Sequence, residues 1–198
     1  MRHDMVHFIQ EVTEEQLNSI LDKIGECVKR AQSAGVDIIE VHGDRLIGSF
    51  CSTLINRRTD SYGGSFENRI RFALRVVDKI REVAPDICID YKLPVVTENP
   101  LRGKGGLMID EAVEFAKILE RSGVDMIHVG QANHTGNMND TIPAMGTQPY
   151  CFMSKYTKQI KEAVSIPVSS VGRIVTPENA EALIENGVCD IVGLGLSL

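Results

Sequence analysis

The chain has 198 residues, and its 21 Lys and Arg residues against 27 Asp and Glu residues give a formal net charge of −6 at pH 7. With 43% hydrophobic and 24% charged residues it has the composition of an ordinary globular protein, which excludes a disordered, collagen-like or coiled-coil chain. The acidic balance also argues against a nucleic-acid partner, because dedicated nucleic-acid binders carry a basic stripe.

The cysteines and the apolar segments indicate the cellular location of the chain. The 5 cysteines are scattered, and none forms the C-x-x-C pair of a zinc, cluster or redox site. The sequence has no secretory signal, and no apolar stretch approaches the roughly 20 residues that span a bilayer. We therefore predict a cytoplasmic protein with reduced cysteines, no metal site and no membrane partner.

A repeated phrase marks the points where helices end and strands begin. Residues 34–37, 122–125 and 186–190 read A-G-V-D, S-G-V-D and N-G-V-C-D, and a short apolar run follows each of them. Glycine closes helices in the left-handed conformation, and at two other junctions Pro85 and Pro167 stop a helix. The pattern predicts five strands that are buried on both faces, as in a covered parallel sheet. They are IIEVHG, DICIDYKL, MIHVG, VSSVG and IVGLG.

Helices are predicted between the strands. Thr13 and Gln16 form a capping pair at one helix start, Asp110 marks another, and Thr176 followed by Pro177 marks a third. The first two long helices each present one apolar face. These faces consist of Leu17, Ile20, Leu21, Ile24, Val28 and Ala31, and of Ile70, Ala73, Leu74, Val77 and Ile80.

Strict alternation of helices and strands predicts an α/β fold with a parallel sheet, either open or closed as a (β/α)8 TIM barrel. An open dinucleotide-binding sheet would show G-x-G-x-x-G after its first strand, and this motif is absent. The strand ends carry His42, Lys92, His128 and Arg173, which favours the barrel, where catalytic groups lie at those ends. A complete barrel needs eight strands over about 250 residues, so five strands predict part of one.

Residues 56–72, N-R-R-T-D-S-Y-G-G-S-F-E-N-R-I-R-F, resemble the signature of the Old Yellow Enzyme family of NADH:flavin oxidoreductases. Residues 171–174, V-G-R-I, and 190–195, D-I-V-G-L-G, are similar to the last two strands of that family. The resemblance runs from about Val12 to the end of the chain and implies an FMN-dependent barrel. Residues 1–198 would then be the C-terminal part of the flavin-binding domain, with strands four to eight and without the first three strands and the last helix. Segment 56–72 itself suits a loop that turns into a helix, and we assign it a structural role.

The resemblance also implies a substrate site after the first predicted strand. His42 matches the family's substrate-binding histidine, but the run H-G-D-R at 42–45 lacks the tyrosine that serves the family as general acid. Arg45 can stabilise an oxyanion or hold a carboxylate, yet it is a poor proton donor because a guanidinium stays charged. Asp44 can orient Arg45 or relay a proton, and a solvated ion pair is the alternative. The run is similar to that of a gut-bacterial branch of the family whose substrate is bilirubin.

Further positions match the family's cofactor site. Lys92 aligns with the strand-end cation near the flavin N1/O2 edge, where a positive charge stabilises the reduced ring. Gly172, Arg173 and Gly195 match the positions that hold the FMN phosphate, and Leu196 stands where the family has a phosphate-clamping arginine. Each glycine also has an alternative interpretation as a tight turn.

A long segment follows the third predicted strand on the same side of the sheet. It covers residues 131–149, and loops of this length over a barrel mouth usually bind ligands. We therefore assign His128 and His134 to a substrate-binding loop, with a solvated loop histidine as the alternative for His134.

Together, these residues and the resemblance predict an FMN-dependent oxidoreductase that transfers hydride from NAD(P)H to an activated C=C bond of a small molecule, bilirubin or another conjugated carbonyl compound. One alternative is a flavin-free phosphate-binding barrel, such as an aldolase that uses Lys92 as a Schiff base. The other is a non-catalytic truncated fragment whose open sheet edges favour self-association into homo-oligomers. Any iron–sulfur cluster would lie beyond Leu198.

Overall fold

The computed structural model describes residues 5–96, 106–131 and 149–194. All five predicted strands are confirmed, and two short helices were not predicted, α1 and α3. The strands are β1 (Ile38–His42), β2 (Cys88–Val95), β3 (Met126–Gln131), β4 (Val168–Ser170) and β5 (Ile191–Val192). The helices are α1 (Met5–Glu11), α2 (Glu14–Ser33), α3 (Arg45–Cys51), α4 (Phe66–Val83), α5 (Ile109–Arg121), α6 (Ser154–Lys161) and α7 (Pro177–Glu185).

The five strands form one parallel sheet in the order β1-β2-β3-β4-β5. Doubly wound open sheets reverse their strand order at a switch point, whereas a barrel adds each strand beside the previous one. The described sheet has no reversal, and helices connect its consecutive strands. The topology is therefore that of a continuous part of a (β/α)8 barrel, as predicted.

The local signals for helix ends are largely confirmed. The Gln16 amide donates to Thr13 Oγ1 at 3.2 Å and the Thr13 amide donates to Gln16 Oε1 at 2.9 Å, which completes the capping box of α2. Thr176 caps α7 in the same way by accepting from the Asn179 amide at 3.2 Å. The glycines after α2, α5 and α7 have φ of +82°, +89° and +62°.

The helix start predicted at Asp110 is wrong, because the residue that precedes the helix is Met108. Helix α5 begins at Ile109, and Met108 precedes it without a side-chain capping bond. Asp110 instead lies in the first turn, where a carboxylate interacts favourably with the positive end of the helix dipole.

The prediction that the strands are buried on both faces is also wrong. One face of the sheet packs on the helices: Tyr91 is fully buried, and its ring meets that of Phe115 of α5 at 5.6 Å between centroids. The opposite face, called the inner face below, is polar and partly open to solvent. It carries Glu40, His42, Asp90, Lys92 and His128.

The outer strands of the described sheet have one neighbour each. Ile38 in β1 is 52% exposed and Ile191 in β5 is 43% exposed, because no described strand covers either edge. Within the described residues, no helix is long and apolar enough to cross a membrane.

Segment 56–72 forms hydrogen bonds that connect the loop between α3 and α4 with the first described residues of the chain. The Asn56 side-chain amide donates to the carbonyl oxygens of Phe50 and Tyr62, both at 2.7 Å. The guanidinium of Arg58 donates to the carbonyl oxygens of Ile9 and Val12, both at 2.9 Å. These contacts are structural, and they agree with the role that the sequence predicts for the segment.

Candidate functional site

The site is built at the carboxyl end of β1 and on the neighbouring part of β2, where Lys92 lies three residues before the strand ends at Val95. His42 is the last residue of β1 and pairs in register with Lys92 of β2, so both side chains extend from the inner face at the same level. His42 Nδ1 lies 2.5 Å from Asp44 Oδ1, and His42 Nε2 lies 3.4 Å from Lys92 Nζ. The His42 side chain is 50% exposed, whereas that of Asp44 is only 6% exposed. The structure therefore brings together three of the predicted site residues.

A second group adjoins the first on the inner face: Glu40 and Asp90 pair in register one step below His42, and His128 of β3 pairs with Lys92. Glu40 Oε1 is 3.2 Å from His42 Nε2, and Glu40 Oε2 is 2.9 Å from His128 Nδ1 on β3. Asp90 of β2 completes the group, because one ligand-type atom of each of Glu40, Asp90 and His128 lies within 4.8 Å of the others. Glu40 Oε2 forms a hydrogen bond with the His128 ring, and Glu40 Oε1 lies at ion-pair distance from the His42 ring, so acidic and basic side chains are neighbours on the inner face.

Two contacts of His42 Nε2 require opposite proton positions. An Nε2–H group can donate to Glu40 at 3.2 Å, but it cannot then accept from the Lys92 ammonium at 3.4 Å. A neutral ring with its proton on Nδ1 donates to Asp44 and accepts from the Lys92 ammonium at Nε2, which satisfies both hydrogen bonds of the ring. Lys92 is therefore the donor to the neutral ring, and the contact with Glu40 is an ion pair only when the ring is protonated.

Burial changes the acidity of two groups around this network. The pKa of the Asp90 carboxyl is raised above its ordinary value, chiefly because burial disfavours the charged form. Burial likewise raises the pKa of the Tyr91 phenol, whose ring lies under the turn that follows β1. Asp90 is thus a carboxyl group that retains its proton more readily than an exposed one.

The turn after β1 depends on Gly43. A Cβ atom at this position would lie 2.3 Å from the Lys92 carbonyl oxygen and 2.4 Å from Cε1 of Tyr91. Arg45 follows with φ of +54°, in the left-handed region that non-glycine residues seldom adopt, and α3 begins there. The close approach and the strained arginine fix the direction of the chain between His42 and α3.

We expect Gly43→Ala to lower the free energy of unfolding of the intact protein by about 1–3 kcal/mol, because the backbone of β2 and a buried ring must move to admit one methyl group. Gly25→Ala is the matched control. It adds a methyl group to the interior of α2, where the nearest atom is the flexible Lys79 Cδ at 3.2 Å, so it should be neutral or stabilising. Urea unfolding of the two variants measures the difference, and equal effects would contradict the close approach at Gly43.

The predicted phosphate-binding residues follow β4 at the same edge of the sheet. Gly172 has φ of +111°, and a Cβ there would meet Met153 Cγ and Phe152 Cε1 at 2.9 Å. Arg173 has φ of +51°, and its guanidinium carbon lies 5.0 Å from the centroid of the Tyr150 ring. Arg173 is thus the second predicted site arginine with a left-handed backbone, and such strain commonly marks functional positions.

Three predicted site positions lie outside the described residues: His134, Gly195 and Leu196. Their roles stay predictions. The sequence interpretation also missed Glu40 and Asp90, although the alternation of apolar and polar residues in I-E-V-H and I-D-Y-K carried the signal.

The parallel sheet adds each strand beside the previous one, and it carries His42 and Lys92 on its inner face and Arg173 after β4. This arrangement is that of an enzyme of the (β/α)8-barrel type. Residues 2–198 match the family model of the NADH:flavin oxidoreductase / NADH oxidase family, and the chain belongs to that family. The resemblance seen in the sequence is thereby confirmed.

Individual relatives agree with this membership. The chain is 99% identical over 198 residues to a bilirubin reductase of Mediterraneibacter gnavus, of which it covers 31%. It is 37% identical over 196 residues to a bilirubin reductase of Clostridium symbiosum, and that match covers 96% of this chain and 52% of the relative. The chain thus spans between about a third and a half of the length of these two proteins.

Solved structures show the same fold. Histamine dehydrogenase from Rhizobium sp. 4-9 matches 93% of this chain with a TM-score of 0.78 and 28% identity, and the match covers 26% of that enzyme. Morphinone reductase in complex with tetrahydroNAD matches 93% of this chain with a TM-score of 0.67 and 27% identity, and the match covers 46% of that enzyme.

Proposed function

We propose that the intact protein is an FMN-dependent reductase that passes hydride from NAD(P)H to a conjugated C=C bond. The observation that carries the proposal is the His42–Lys92 pair, in register on adjacent strands where β1 ends and flanked by Asp44 and Glu40, in a chain of the NADH:flavin oxidoreductase family. An imidazole that can donate hydrogen bonds next to a fixed ammonium suits a reaction in which negative charge develops on a substrate or a cofactor.

The residues present fit FMN. Lys92 is half-buried on the inner face, where its positive charge would stabilise the reduced ring, and Arg173 follows the carboxyl end of β4. The Gly172–Arg173 turn would hold the phosphate, since barrels of this class bind phosphates through the loops after their last two strands. When bound, FMN supplies the capacity to accept a hydride and pass it on.

The chain's own residues then account for substrate binding. His42 would donate a hydrogen bond to the carbonyl oxygen that activates the C=C bond, and Asp44 would keep the ring in place from Nδ1. Arg45 begins α3 directly after this turn and is exposed, so it can bind an anionic group of the substrate. A guanidinium and an imidazole on the two sides of one turn suit a molecule with both lactam oxygens and carboxylates. Bilirubin has these groups, and the relatives described above support it as the substrate.

The test uses the intact protein purified with FMN. We expect NADH to bleach the flavin absorbance under anaerobic conditions and bilirubin to restore it, with loss of the bilirubin colour. His42→Gln should lower the rate with bilirubin by about 10²-fold, since it removes a positioned donor, while His7→Gln in the exposed part of α1 should not change the rate. A colourless protein that ignores added FMN would overturn the proposal.

A further inference from the structure

The Gly172–Arg173 turn after β4 packs on residues 150–153, which lie just before α6 and are called the turn support below. Phe152 and Met153 approach the glycine so closely that a Cβ atom on it would lie 2.9 Å from an atom of each side chain. Such an approach is possible because the residue has no side chain of its own. The turn and the turn support therefore hold each other, although α6 separates them along the chain.

The backbone of Arg173 is joined to the turn support in a conformation that non-glycine residues seldom adopt. Its φ is +51°, and Cys151, whose amide donates to the Arg173 carbonyl oxygen at 3.1 Å, has φ of +54°. Residues in this region persist where the surrounding structure determines their conformation. The turn support thus sets the direction in which the Arg173 side chain leaves the turn.

The side chain of Arg173 meets the first residue of the turn support. Its guanidinium carbon lies 5.0 Å from the centroid of the Tyr150 ring, within the roughly 6 Å at which an aromatic face attracts a cation. Tyr150 is 61% exposed, so burial of its own surface gives the ring little reason to lie there. The contact with the guanidinium accounts for the position of the ring better than burial does.

A guanidinium that lies over an aromatic ring is well suited to bind a phosphate. The ring covers one face of the guanidinium plane, while the N–H groups point outward along its edge and can donate to two phosphate oxygens together. An arginine side chain loses conformational freedom when it binds a ligand, and a ring that already holds it reduces this loss. A ring in this position therefore raises the affinity for a phosphate without touching it.

Resting on the proposed function, we propose that Tyr150 is a positioning residue that holds the Arg173 guanidinium for the phosphate of FMN. The phenol oxygen is not needed for this role, because the face of the ring attracts the cation. The contact acts only on the phosphate end of the cofactor. Tyr150 should therefore distinguish FMN from riboflavin, which has the same ring system and no phosphate.

The experiment measures the affinity of the flavin-free intact protein for both flavins from the quenching of flavin fluorescence. Wild-type protein should bind FMN more tightly than riboflavin. Tyr150→Leu should weaken FMN binding about 5-fold, as expected for an exposed cation–π contact, and riboflavin binding by less than about 2-fold. Tyr150→Phe keeps the ring and is the matched control, so its FMN affinity should stay within about 2-fold of wild type. An unchanged FMN affinity in Tyr150→Leu, or an equal loss for both flavins, would overturn the positioning role.

A double-substitution cycle tests whether the ring acts through the arginine. Arg173→Met should weaken FMN binding at least about 10-fold, because it removes the charged group that binds the phosphate. In that variant, a further Tyr150→Leu change should alter the FMN affinity by less than about 2-fold, since no guanidinium remains to be positioned. Losses that multiply in the double variant would overturn the coupling.

The same titrations distinguish a failure of this proposal from a failure of the proposed function. Wild-type protein that binds neither flavin would overturn both. Equal affinities of wild-type protein for FMN and riboflavin would show that the phosphate is not held, and they would overturn the positioning role alone. The same holds for a wild-type protein whose bound FMN is bleached by NADH but whose FMN affinity does not depend on Tyr150.

Discussion

Arg69→Leu is expected to lower the free energy of unfolding of the intact protein by about 3 kcal/mol, because it breaks a buried ion pair. Arg69 in α4 is 4% exposed. Its guanidinium donates to Glu111 Oε1 at 2.5 Å and Glu111 Oε2 at 3.1 Å, and also to the carbonyl oxygens of Cys51 at 2.5 Å and Gly64 at 3.3 Å. Leucine fills much of the space but leaves the carboxylate and two carbonyls without their donor.

The contacts of Arg69 explain why this substitution should cost more than others. They join the end of α3, the Gly63–Gly64 turn and the first turn of α5. One side chain therefore holds the loop between α3 and α4 against α5. Glu111 is 35% exposed and can regain water, which keeps the expected loss near the lower end for a broken buried pair.

Arg71→Leu is the matched control for Arg69. Arg71 lies two residues further along α4, is exposed, and donates to the Ser61 carbonyl oxygen and Asn68 Oδ1, both at 2.7 Å. Its loss should cost less than about 1 kcal/mol because water replaces it at both acceptors. Urea unfolding measures both variants, and a loss at Arg69 no greater than that at Arg71 would contradict the buried-pair argument.

Helix and strand ends were predictable because local chemistry determines them. Thr13 with Gln16, and Thr176 with Pro177, act within one helical turn, and the glycine after each G-V-D phrase closes a helix by its own backbone conformation. Helix α3 was not predicted, because contacts with distant parts of the chain stabilise it and local chemistry does not. Arg45 enters it with a left-handed backbone, and its short run is stabilised by burial of Ile47 and Phe50 against other elements.

The candidate site was predictable only in part. His42 and Lys92 were identified because their motifs resemble a family, and the register places them side by side. The alternation in their strands indicates only that Glu40 and Asp90 share the polar face, and a carboxylate on such a face is an ordinary residue by itself. Their proximity to His128 depends on the register of β1, β2 and β3, which a single sequence does not specify.

Lys92→Met should lower the rate at which NADH reduces the FMN-loaded intact protein by about 10²-fold, because it removes the half-buried positive charge beside His42 on β2. It should also make the reduction potential of the bound flavin more negative, since the anionic reduced form loses its counter-charge. Stopped-flow absorbance and a dye-coupled potential titration measure the two effects. Lys23→Met removes an exposed lysine of α2 and should change neither quantity.

Lys92→Arg separates the reductase from the aldolase that the sequence also allows. Arginine keeps the positive charge but has no amine that forms a Schiff base, so a reductase should retain its rate within about 10-fold whereas a Schiff-base enzyme should lose all activity. Treatment of wild-type protein with borohydride and a carbonyl compound should leave Lys92 unmodified by mass spectrometry. A trapped adduct on Lys92, together with an inactive Lys92→Arg protein, would assign the side chain to covalent catalysis, and the charge beside His42 would then need a different explanation.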